Sequence, residues 1–208
     1  MHSNLAFLVS ALMGIYVLMF RDAVFRKPDE RPAYWVLFLS LVFTSVGSAY
    51  YHLTPNTTTL FWDRLPMTVL FMSIMSILVS EKIEEKLGKA LLLPLCVIGV
   101  ASVSWWSFTE LHPDFNADLR FYILVQLAPV LLTPLVVFMY PARYSHAHYM
   151  YICALLYILS KAAELFDHGV WNLSGKTLSG HSLKHFLAAF GVAYLPIMIV
   201  KRTILKNE

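Results

Sequence analysis

Seven apolar runs take up most of the chain, at roughly Leu5–Phe20, Ala33–Tyr51, Pro66–Ser80, Ala90–Phe108, Leu119–Tyr140, His148–Phe166 and Ser182–Val200. Each is close to the ~20 residues that a helix needs to cross a bilayer. In hydrocarbon the backbone N–H and C=O groups must be paired within the segment, so runs of this length can only be helices. Only 14% of the residues are charged, against about a quarter in soluble domains. The chain is therefore expected to be an all-α integral membrane protein. Its architecture is a bundle of seven transmembrane helices forming one domain over residues 1–208. The third run has Asp63 or Arg64 as an alternative start. No repeat, low-complexity stretch or linker divides the chain.

The loops set the orientation. Arg21, Arg26, Lys27 and Arg31 follow the first run, Lys82, Lys86 and Lys89 the third, Arg143 the fifth, and Lys201, Arg202 and Lys206 the seventh. The alternate loops hold a single Lys, Lys176, between them. The excess of Lys and Arg on cytoplasmic loops then puts the N-terminus outside and the C-terminus in the cytoplasm. The basic residues are accounted for by orientation, and nucleic acid is not an expected partner. Leu5–Phe20 lacks a basic leader and cleavage signal and reads as a retained helix. Cys96 and Cys153 lie inside apolar runs and read as small core residues rather than a disulfide.

Against this background the ionisable groups stand out, because such groups in membrane segments are rare and usually functional. His181-Ser-Leu-Lys-His185 opens the last run, and histidines four apart share a helix face. Such a pair is a ready metal clamp. Gly47-Ser48-Ala-Tyr-Tyr-His52 closes the second run with Ser48 and His52 likewise four apart, and Asp63 stands just before Leu65-Pro66-Met67. By the topology above, His52, Asp63 and His181 all fall on the non-cytoplasmic side. His52, His181 and His185 form the expected metal set: three neutral nitrogen ligands, with a fourth position for water, as at catalytic zinc. Zinc lowers the pKa of a bound water to about 7. Asp63 is the expected proton acceptor and donor, and Ser48 the expected partner of the oxyanion.

This ordered set resembles the alkaline ceramidases: Gly-Ser-x-x-x-His, an Asp eleven residues on followed by x-Leu-Pro-Met, then His-x-x-x-His opening a seventh helix. They are members of the CREST superfamily of seven-helix membrane hydrolases, with the adiponectin-type receptors and the lipid hydrolases that remodel GPI anchors. The resemblance implies zinc on His52, His181 and His185, Asp63 as acid/base, and Ser48 as the oxyanion or water partner. It implies hydrolysis of the amide of a ceramide-type membrane lipid to a sphingoid base and a fatty acid. The chain departs from the eukaryotic enzymes in two places. Its first acidic residue is Asp22, after the first run, where they carry an acidic calcium site before it. Arg64 stands where they commonly have a second acid. Short loops and the lack of a retrieval signal point to a bacterial inner-membrane protein with its site toward the periplasm.

Plainer readings accompany each residue. Ser48 also suits close helix packing, and Asp63 a helix N-cap. Lys161 and Glu164 read as a buried ion pair or a headgroup contact. Asp167 and His168 lie near enough for hydrogen bonds to a zinc histidine, whereas Lys184 projects from a different face. His2, His112, His146 and His148 read as loop or interfacial residues. Trp62, Trp105, Trp106 and Trp171 read as an interfacial aromatic belt. Two other functions share the pattern: a seven-helix lipid receptor or sensor with structural zinc, and an acyl-ester lipid hydrolase.

Overall fold

The computed structural model describes residues 2–205. Lys206 and the side chain of His2 lie outside the described residues. Eight α-helices follow in order: α1 (Leu5–Phe20), α2 (Arg31–Leu53), α3 (Thr57–Lys82), α4 (Glu85–Leu111), α5 (Arg120–Met139), α6 (His148–Leu165), α7 (Asp167–Leu173) and α8 (Gly180–Lys201). Short 3-10 turns at His2–Asn4 and Pro28–Glu30 precede α1 and α2. Among the described residues there is no β-strand beyond one isolated bridge, Tyr144 with Ile204.

Among the described residues, five helices are long and apolar enough to cross a membrane: α2 with its preceding turn, α3, α4, α5 and α8. A sixth span is reached if α6 and α7, which meet at 86°, are taken together. α1 is apolar but only 16 residues long. The outer surface agrees with a lipid environment. Leu93 is 73% exposed and Phe138 88% exposed, and large apolar side chains in that state belong in hydrocarbon rather than water. The molecule is thus a multi-pass helical membrane protein.

The main core is built where α1, α2, α3 and α8 meet, with Leu18, Leu37, Phe38, Leu41, Leu78 and Ile199 essentially inaccessible. A smaller cluster around Val103, Trp106 and Tyr122 fills the space among α3, α4 and α5. Trp106 is 2% exposed, so it leaves the aromatic belt. It is covered by the Arg64 guanidinium, 4.1 Å above its ring.

The start of α3 differs from expectation. Asn56 caps it, accepting from the Thr59 N–H at 2.9 Å while its own N–H donates to the Thr59 hydroxyl at 3.1 Å. This reciprocal box satisfies two backbone donors, so the helix begins at Thr57, well before the apolar run. Asp63 therefore lies inside α3 and is not its N-cap, and the α2–α3 connection shrinks to residues 54–56.

The end opposite the histidines is closed by charge. Arg202, fully buried, pairs with Glu81 and lies 3.9 Å from Glu30. Tyr34 donates to Glu81 at 2.6 Å, and Tyr144 donates to Glu30. Burial, reinforced by that hydrogen bond, holds the Tyr144 phenol above its usual range, so it remains a donor at neutral pH.

Candidate metal centre

Three helix ends build the site. Near the end of α2, Gly47 lies so close to α3 that a Cβ there would strike the Trp62 carbonyl oxygen. The absence of a side chain lets the two backbones approach, which seats Ser48 beside Asp63. At the start of α8, Ser179 is the N-cap and accepts from the Ser182 N–H at 3.1 Å. The Asp167 carboxylate accepts from the His181 N–H at 2.8 Å. Gly180 packs on α6, where a Cβ would meet the Ala163 carbonyl oxygen and the Asp167 Cα. Gly180→Ala is expected to destabilise the protein by about 1–3 kcal/mol, as overpacking does. Thermal unfolding in mild detergent measures this, and an unchanged melting temperature would contradict the close packing.

The result is convergence of His52, His181 and His185. One nitrogen from each lies within 4.8 Å of the others, and the Nε2 atoms of His52 and His181 are 3.1 Å apart. Two nitrogens bound to one tetrahedral zinc at about 2.0–2.1 Å are roughly 3.3 Å apart. The three imidazoles therefore fit a single ion. His185 is 4% exposed, and its Nδ1 lies 3.0 Å from the Ser3 hydroxyl, leaving Nε2 for the shared point. Ser48 is buried. Its hydroxyl donates to Asn4 Oδ1 at 3.3 Å and also lies against the Asp63 carboxyl.

Several features outside the sequence expectations surround this set. Lys184, which projects from a different face from the two histidines, has a partner on α6. It donates to Glu164 Oε1 at 2.6 Å, while Lys161 donates to Oε2 at 2.6 Å. The Lys161–Glu164 pair is thus present but partly exposed, and extended into a triad joining α6 to α8. A lysine inside an apolar helix was itself the available signal. Asp167 bonds the backbone of His181 rather than its ring, and the His168 ring enters no hydrogen bond among the described residues. Ser3 and Asn4 carried no signal at all in the sequence.

Below the histidines lies an apolar cavity of ≈ 100 Å³. Phe7, whose ring packs 5.3 Å from that of His185, lines its upper wall. Phe71 on α3, Val130 on α5, Tyr157 on α6 and Leu195 on α8 line the rest. Its apolar lining suits a hydrocarbon chain. Cys153 also lines it, and both cysteines are free.

Neither the curated proteins nor the solved structures gave a match. The family model described as Ceramidase aligns with residues 1–208. Since that span takes in every helix of the bundle and all three converging histidines, the chain belongs to the ceramidase family.

Proposed function

We propose that the protein is a zinc-dependent intramembrane amidase that cleaves ceramide-type lipids to a sphingoid base and a free fatty acid. The observation carrying this reading is the convergence of His52, His181 and His185 beside an apolar cavity whose wall includes Phe7, packed on His185. Family membership supports the ceramide amide as the bond attacked, and zinc is the metal for which the family is known. A zinc ion on the three imidazoles, when bound, would supply a water acidic enough to act as nucleophile at neutral pH.

The chain's own residues account for the remaining steps. The cavity takes up a hydrocarbon chain and so sets the scissile amide, which lies near the lipid's polar end, at the level of the histidines. Asp63 removes a proton as water adds to the carbonyl carbon, and returns it to the nitrogen as the C–N bond breaks. One amide and one water thus give one acid and one amine. We assign Ser48 to the water and the developing oxyanion, beside Asp63.

We further propose seven spans in one domain, counting α1 and the bent α6–α7 pair. The N-terminus lies outside and the C-terminus in the cytoplasm, in a bacterial inner membrane with the site toward the periplasm. Basic-residue asymmetry supports the orientation.

The test is fatty-acid release from ceramide by purified protein, before and after zinc chelation, beside a diacylglycerol and a lysophospholipid. Zinc-dependent release from ceramide alone is the expected result. Release from the esters only would make it an ester hydrolase. Metal binding without turnover would favour a sensor.

A further inference from the structure

The turn that precedes α1 reaches into the metal centre. Ser3 is 7% exposed and Asn4 3%, and both are tied to groups far along the chain. The Ser3 hydroxyl meets His185 Nδ1 at 3.0 Å. The Asn4 backbone carbonyl accepts from the Ser45 hydroxyl at 2.9 Å, and its side-chain oxygen accepts from Ser48 at 3.3 Å. Two bonds to α2 therefore hold the turn, and a third is made to a histidine of the converging set.

An imidazole that binds a metal through one nitrogen carries its proton on the other, and a fixed acceptor for that N–H sets the ring's tautomer and angle. Of the three histidines, His185 is the most buried, so water is poorly placed to fill that role. From this we infer that Ser3 is a positioning residue for His185. It accepts the Nδ1–H, aims Nε2 at the point shared with His52 and His181, and makes the N-terminal turn a working part of the metal centre. The inference rests on the metal-centre reading given above.

Zinc affinity, measured by competition with a chromophoric chelator, tests it in three variants. Ser3→Ala should bind zinc about 10–100-fold more weakly, the usual cost of losing such a partner. Ser3→Thr keeps the hydroxyl and should bind within a few-fold of the native protein. Ser45→Ala removes a bond that pins the same turn without touching His185, and should retain most of the affinity. Hydrolysis by Ser3→Ala should recover at saturating zinc, because the defect lies in holding the ion. Native-like affinity in Ser3→Ala, or an equal loss in Ser45→Ala, overturns the inference and leaves the metal centre intact. A native protein that takes up no zinc overturns both.

Discussion

Asp63→Asn is expected to keep its zinc and lose about 10²–10⁴-fold in turnover, the range a positioned acid/base supplies. His185→Ala is expected to lose both. The two variants separate because their residues do different work. Among the described residues, His185 supplies one of the three histidine nitrogens that meet at the shared point. Removing it leaves two, fewer than the three protein ligands of an open catalytic zinc site. Asp63 stands on α3 against Ser48 and outside the set of three nitrogens, and the change to Asn preserves its size while abolishing its ability to take a proton. Zinc content and turnover measured on the same preparations decide the matter. Full turnover in Asp63→Asn removes the assigned acid/base, and zinc retained at native affinity in His185→Ala removes the ligand assignment.

Arg202→Met should destabilise the fold by roughly 3–5 kcal/mol, the cost of breaking a buried ion pair from one side. The guanidinium has no exposed surface and pairs with Glu81, itself 5% exposed. It also donates to the Val24 carbonyl at 2.8 Å and lies 3.9 Å over the Tyr144 ring. Met keeps length and apolarity, so the loss is mainly that of the charge, with Glu81 and Glu30 left unbalanced. Adding Glu81→Gln should recover part of the stability. Chemical unfolding in mild detergent measures both changes. The protein that remains folded should bind zinc normally, because this cluster sits at the far end of the bundle. A stability loss below about 1 kcal/mol, the range of an exposed pair, would mean that the cluster is not held by the Arg202 charge.

Much of the site was legible in the amino-acid sequence, for a definable reason. Burying an ionisable group in apolar surroundings is costly, so His52, Asp63, His181 and His185 marked themselves by standing at or within the ends of apolar runs. The four-residue spacing then placed Ser48 with His52, and His181 with His185, on shared faces. Other positions carried no such mark. Ser3 and Asn4 look like any polar pair near a chain start. Trp106 looks interfacial until Arg64 is found lying on it. Asn56 looks like part of a loop, yet its capping of α3 moved Asp63 from a helix entrance to a helix interior.

The sequence by itself determined that the chain forms membrane helices, where the main apolar runs lie and which residues are too polar to be there by accident. These are local matters, settled by hydrocarbon thickness, backbone hydrogen bonding and helical period. Only the tertiary structure decided that the three imidazoles share one point, that Lys184 reaches Glu164 and that the N-terminal turn closes against His185. Those outcomes depend on which helix faces meet. That is set by shape at a few close approaches, such as Gly47 on Trp62 and Gly180 on Ala163, between segments whose separation along the chain says nothing of their separation in space.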